Sequence, residues 1–311
     1  MNKNNYKFID NGFLTPVFNK YLVQPLLKKL PASIAPNFTV ILSFAFSTMG
    51  LVSALYFGHT KTGVFFTSLF QFLYVLSNRL GAESSQNSEV QPALRTFLAQ
   101  FQNIYAIGTI HFSAFYFFQI TTPFILVFSL TLNYLFVCKK YTDLFQTGVM
   151  VMPKFSAWEQ ILIVDALHFL SLNPAAHAIL VDFMEFILLV SVSANILIYS
   201  NQIVKILKDR WQFAFYLVLS LSFHYFLPDY KCHHICIFIL LYNLHYIGSV
   251  IASRLTNSTY PMPDIIAPLI LIIAPSTMLM YGLAMSYLGA RVCCLFFKTL
   301  AKLQNDEKIQ L

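Results

Sequence analysis

Residues 75–103 read VLSNRLGAESSQNSEVQPALRTFLAQFQN. This is a polar run between two apolar stretches, with turn formers at Gly81 and Pro92. It carries Arg79, Arg95, Glu83 and Glu89, and no aspartate. Hard divalent cations need carboxylate oxygens. The run has the shape of a working loop and lacks the groups that would hold a metal ion or move a proton.

Outward from this run the chain is strongly apolar. Hydrophobic residues make up 57% of the 311 and charged residues 11%, against about 25% charged in a soluble domain. Phe (32) and Tyr (17) are abundant, as at lipid-facing and interfacial positions. The composition predicts an all-α polytopic membrane protein. The N-terminal MNKNNYKFIDNGF has no apolar core before residue 12, so no cleavable signal peptide is expected. Cys138, Cys232, Cys236, Cys293 and Cys294 are odd in number and show no framework spacing, which argues against a disulfide scaffold.

A bilayer span needs about 20 apolar residues. Stretches at 37–57, 62–79, 95–115, 119–138, 159–173, 178–200, 210–227, 233–253, 264–281 and 283–301 give about ten transmembrane helices, or nine if the last hairpin is a single span. With ten, one side of the membrane collects every basic residue except Lys61 and Lys231. Lys and Arg resist translocation, so this is the cytoplasmic or matrix side, and both termini face it. The same asymmetry explains the net charge of +7 without nucleic acid. Residues 13–30 place Phe13, Val17, Tyr21 and Leu22 on one helical stripe and Lys20, Lys28 and Lys29 on the other. They predict an N-terminal interfacial amphipathic helix, kinked at Pro25. PASIAPN (31–37) then forms a rigid elbow into the membrane. The expected organisation is an N-terminal segment (1–36), one transmembrane bundle (37–302) and a polar tail (303–311).

KYLVQPLLKKLPASIAPNFTVILSF (20–44) resembles the entry to the membrane domain of the eukaryotic choline/ethanolamine phosphotransferases, of the CDP-alcohol phosphatidyltransferase family. FQTGVMVMPKFSAWEQI (145–161) is similar to the family's Thr-Gly loop and the acidic residue after it. IGSVIASRL and YPMPDIIAPLIL, within 247–272, give a looser third match. The resemblance implies a ten-helix bundle with its reaction site on the basic side. It also implies a motif after the second span, Asp-x-x-Asp-Gly-x-x-Ala-Arg, eight residues, then Gly-x-x-x-Asp-x-x-x-Asp. In the family those aspartates hold two divalent cations, and the last helps deprotonate the acceptor hydroxyl. Aligned on Gly81, the aspartates fall on Ser77, Leu80, Leu98 and Gln102, the Ala-Arg pair on Ser84 and Ser85, and the second glycine on Leu94. No aspartate occurs between Asp10 and Asp143, so no other register restores the set. Asn37 would meet nucleotide only if one bound.

Other candidates are fewer. Asp165 and His168 share a face of the fifth stretch, and Asp182 and Glu185 a face of the sixth. Intramembrane acids mark proton or cation sites, buried pairs or partner contacts. Glu159 matches a family position at the interface. KCHHIC (231–236) brings Cys232, His233, His234 and Cys236 together. His233 and His234 leave the face that the cysteines share, so an interfacial His pair is expected over a zinc site. Lys28, Lys29, Lys139, Lys140 and Lys154 are candidates for lipid headgroups. NFT (37–39) and NST (257–259) match glycosylation sequons on the basic side and are not expected to be used.

The expected function is therefore a pseudoenzyme, with no metal and no cofactor. It would serve as a structural or accessory subunit beside other membrane-protein subunits of a large complex, holding phospholipids and binding no nucleic acid. A mitochondrial inner-membrane assembly, respiratory chain or ATP synthase, is the expected setting because such assemblies collect accessory membrane subunits. The endoplasmic reticulum, the family's own location, is the alternative. The alternative function is an active CDP-choline or CDP-ethanolamine:diacylglycerol phosphotransferase with ligands from elsewhere, such as Asp143 or Glu159.

Overall fold

Long apolar runs without two-residue alternation fold as helices, and the computed structural model is all-α in class. It describes residues 7–10, 12–29, 36–86, 93–120, 122–152, 157–227, 230–273 and 277–309. The elbow residues 31–35, Glu89, Pro92 and Lys154 lie outside the described residues, as do the side chains of Asn37, Ser84 and Ser85.

The chain opens with a short strand β1 (Lys7–Asp10), then α1 (Thr15–Phe18) and α2 (Gln24–Leu27), joined by a π-helical turn (Asn19–Val23). Pro25 has no N–H to give, and a widened π-helical turn lies just before it, at the point where the kink is expected. Phe13, Val17 and Tyr21 all point outward as one apolar stripe, while Val23 is fully buried.

The helices α3 (Pro36–Phe57), α4 (Lys61–Gln86), α5 (Ala93–Phe117), α6 (Pro123–Thr147), α7 (Ala157–Leu170), α8 (Pro174–Asp209), α9 (Trp211–Phe226), α10 (Cys232–Leu255), α11 (Ile266–Ile273) and α12 (Met278–Ile309) follow. They take the ten apolar stretches in order, with shifted ends. Among the described residues four segments are long and apolar enough to cross a membrane: Phe38–Phe57, Pro123–Thr147, Cys232–Leu255 and Met278–Asn305. The 14 residues of α7, the 16 of α9 and the 8 of α11 fall short of a full crossing. β2 (Val149–Met152) pairs in parallel with β1, in register from Lys7 opposite Val149 to Asp10 opposite Met152. No sequence pattern anticipated this ladder.

The chain divides into two compact units. Unit 1 holds residues 1–119 and 148–181; unit 2 holds 120–147 and 182–311. In unit 1, α3 packs along α4 and α5, and α7 packs on α4 and α5. Its core gathers Tyr74, Val75, Ala106, Ile110 and Ile161, with Leu14 and Phe18 of the N-terminal helix laid against them. In unit 2, α10 packs on α6 and α12, and α9 on α6 and α11. Its core is aromatic: Tyr134, Tyr216, Tyr242 and Tyr246 are almost fully buried, and the Tyr216 and Tyr246 rings stack at 4.4 Å. The Tyr216 hydroxyl donates to Asn243 Oδ1. Asn257, at φ 51°, ends α10 in the left-handed conformation, so the second sequon's asparagine serves as a helix stop.

Candidate functional site

Gly81 was read as a turn residue, but α4 runs through it to Gln86. Its role is a close approach. A Cβ at Gly81 would lie 2.4 Å from Thr39 Oγ1 on α3 and 3.6 Å from the buried Arg95 guanidinium on α5. Glycine is thus required where three helices meet, and no turn is formed.

The positions that the resemblance assigns to metal ligands surround this contact. Ser77 is buried and turns its hydroxyl back on its own helix, donating to the carbonyls of Leu73 (2.8 Å) and Tyr74 (3.1 Å). Leu80, Leu94 and Leu98 are half-buried hydrocarbon. Gln102 is fully buried, and its amide oxygen and nitrogen find no hydrogen-bond partner among the described residues. Beside it runs an amide seam. Asn78 Nδ2 donates to Asn103 Oδ1 at 2.6 Å, the Tyr74 hydroxyl donates to the same oxygen at 3.2 Å, and Asn103 Nδ2 reaches Gln100 at 3.4 Å. Neutral amides, hydroxyls and leucines do not fit a pair of divalent cations. Among the described residues no three His, Cys, Asp or Glu side chains are grouped to hold a metal.

The nearby carboxylates are engaged elsewhere. Glu83 accepts from Asn19 Nδ2 (2.6 Å) and Gln24 Nε2 (3.3 Å), and the Arg79 guanidinium donates to the Thr15 hydroxyl (3.2 Å). Together they strap the N-terminal helix to α4. Glu159, 1% exposed, accepts the Leu14 N–H at 2.5 Å, tying the same segment to α7. In unit 2, Asp143 pairs with Lys139 at 2.7 Å on α6. Glu83→Ala removes both amide bonds, a loss of about 1 kcal/mol. We therefore expect trypsin to cut at Lys20 and Lys28 roughly fivefold faster; an unchanged cutting rate would contradict the strap.

The lysine candidates divide. Lys28 and Lys29 are exposed at the end of α2 in unit 1. In unit 2, Lys139 is buried against Asp143 and Lys140 is half-buried. Asp182 lies exposed on α8 and Glu185 is half-buried. In KCHHIC the His233 and His234 rings lie 4.1 Å apart, and His234 packs on Tyr281 at 4.6 Å.

Asp165 and His168 are buried together on α7, with Asp165 Oδ1 3.8 Å from His168 Nδ1. Sequence reasoning found this pair and missed its surroundings. Asn173 Oδ1 caps α8 at the Ala175 and Ala176 N–H groups. One turn later, His177 stacks on His59 at 4.0 Å. On α4, Ser68 lies against Asp165 and Gln71 donates to Ser113, and the three-residue spacing of these two polar residues in an apolar stretch was the available signal. Burial, and then the charge of His177, hold the His59 imidazole below its ordinary 6.5. The folded chain therefore binds fewer protons here than the unfolded chain. This contribution to stability is fully present above about pH 6.5 and is lost as pH falls below it. The melting temperature should fall between about pH 7 and about pH 5.5, with a shallower slope in His59→Gln. Equal slopes would contradict the assignment.

No model of a known protein family matches this chain, and no curated protein matches it.

Proposed function

We propose that this chain is a non-catalytic membrane protein of the CDP-alcohol phosphotransferase type, kept for its helix bundle and serving as a structural or accessory subunit of a larger membrane complex. The observation that carries this reading is what the last turns of α4 and the first turns of α5 present. Where the family needs carboxylates, Ser77 bonds its own helix, Leu80 and Leu98 offer hydrocarbon, and Gln102 offers a neutral amide. Of the carboxylates that a working enzyme would have to recruit, Glu159 holds the N-terminal segment at Leu14 and Asp143 pairs with Lys139.

The outer surface supports the partner role. Along the unit 2 part of α8, Phe183, Phe186, Ile187 and Val190 are exposed beside the exposed Asp182. A carboxylate on an apolar helix face is costly in lipid and is relieved by a partner's donor. Ten spans, an interfacial N-terminal helix, both termini on the basic side, and headgroup contacts at Lys28, Lys29, Lys139, Lys140 and Lys154 belong to the same proposal. So does the mitochondrial inner membrane as its location, with the endoplasmic reticulum as the alternative that fractionation would reveal. Gentle solubilisation from native membrane tests the partner role. The expected result is migration far above the 35.6 kDa of the chain, together with co-purifying subunits. A monodisperse monomer would contradict it.

A further inference from the structure

Unit 1 contains a second polar line, separate from the amide seam. It starts at the half-buried His59 of the α3–α4 turn, stacked on the half-buried His177. His59 Nε2 lies 2.8 Å from Ser171 Oγ, and Ser171 donates its only hydroxyl proton to the His168 carbonyl at 2.6 Å. Ser171 therefore accepts from His59, which places the proton on Nε2 and leaves Nδ1 free to take another. His168 is fully buried, edge-on to Phe117 at 4.7 Å and stacked on Phe118 at 5.4 Å. Asp165 follows, with Ser68 of α4 against it. Gln71 comes next and donates to Ser113 at 2.8 Å.

Exposure drops from the half-open histidines to Ser171 (1%) and His168 (0%), and Asp165 is buried beside them at 7%. Ser68 Oγ, Gln71 Oε1, Asp165 Oδ1 and both His168 nitrogens are buried without a partner among the described residues. Five such atoms in a dry core would each cost about 1–3 kcal/mol; internal water relieves them.

Among the described residues no protein charge balances Asp165. The α3 helix has no acid, base or histidine, and α4 has none between Lys61 and Arg79. Between Arg95 and Phe117, α5 has only His111, whose Nδ1 lies 2.6 Å from the Ile107 carbonyl. On α7 itself Glu159 is bonded to Leu14. The Tyr74 and Tyr105 hydroxyls pair with Asn103 and Thr48. The balancing cation has to come from outside, and a line of imidazoles and hydroxyls carries protons.

We propose that Asp165 is a proton-binding site in the bundle interior, in exchange with water through His177, His59, Ser171 and His168. Access is from the α3–α4 turn, because the amide seam (Asn78, Asn103, Gln100) holds no imidazole or carboxyl and its Tyr74 hydroxyl is given to Asn103. The step is balanced: hydronium and the carboxylate give carboxylic acid and water; Ser171 passes a proton on when its hydroxyl turns from the His168 carbonyl to an internal water that reaches the unpartnered His168 nitrogens and Asp165, and each relay member then releases one proton as it takes one.

Infrared spectroscopy of the full chain in lipid vesicles tests this. A protonated Asp165 gives a carboxylic C=O band, lost in Asp165→Asn, that shifts as its proton exchanges with deuterium after transfer to heavy water. His59→Gln keeps an N–H donor for Ser171 but cannot relay, and is expected to slow the shift about tenfold or more. Added imidazole should restore the rate in His59→Ala, and Gln100→Ala should leave it unchanged. The proposal is overturned if Asp165→Asn removes no band, if His59→Gln exchanges at the original rate, or if Gln100→Ala slows exchange as much as His59→Gln does.

Discussion

Asp264→Ala loosens unit 2 by about 3 kcal/mol. The Asp264 carboxylate is buried at the start of α11 and works in two directions. Its Oδ1 accepts the N–H groups of Ile266 (2.9 Å) and Ala267 (3.1 Å), capping the helix. Its Oδ2 accepts the Tyr287 hydroxyl at 2.8 Å and faces Arg291 Nε at 3.6 Å, fastening α12. Losing the cap costs about 1 kcal/mol, and losing a hydrogen bond to a charged acceptor about 2. Arg291 is half exposed and adds little. The buried thiols of Cys138 and Cys236 report the loss. Their reaction with a maleimide dye should quicken on the order of a hundredfold. Asp264→Asn retains an oxygen for the cap, so its effect should be clearly smaller. Equal effects of the two substitutions would refute the capping role.

Gly63→Ala should destabilise unit 1 by a comparable amount, about 3 kcal/mol. A Cβ there would stand 2.1 Å from the Gly58 carbonyl oxygen and 3.1 Å from Phe57 Cβ. The first neighbour is backbone, so no rotamer change relieves the clash and the α3–α4 hairpin must open. Gly58, in the same turn, is needed for a different reason. Its φ is +60°, with nothing near its missing Cβ, so Gly58→Ala should cost only the backbone strain, about 1 kcal/mol. Thermal melts of the two variants in detergent should rank Gly63→Ala well below Gly58→Ala. The reverse order would contradict the close approach.

These glycines show what the sequence could reveal. Stretches of apolar residues without alternation made the helix order readable from α3 to α12. Helix ends were less readable. Asn201, Gln202, Lys205 and Lys208 were read as a connection, yet α8 continues through them to Asp209, because polar residues do not themselves stop a helix. Gly81 looked like a turn because composition cannot distinguish a glycine that bends the chain from one that admits a neighbouring helix. The β1–β2 ladder joins four-residue segments far apart in sequence, and neither carries a strand pattern long enough to read.

The site was legible in the same uneven way. The missing carboxylates at Ser77, Leu80, Leu98 and Gln102 are a fact of sequence once the loop is aligned on Gly81. What occupies the remaining ones is not, since the Glu83 and Glu159 partners lie in the N-terminal segment, 59 to 145 residues away. The pairing of Asp165 with His168 was visible as three-residue spacing on one helix. The line from His59 and His177 was not, because it crosses four separate elements.

The central claim, that this bundle performs no phosphoryl transfer, is tested most directly by incubating the purified chain with magnesium, diacylglycerol and labelled CDP-choline or CDP-ethanolamine. The account predicts no phospholipid product above a protein-free control. Product that depends on both the protein and magnesium would contradict it.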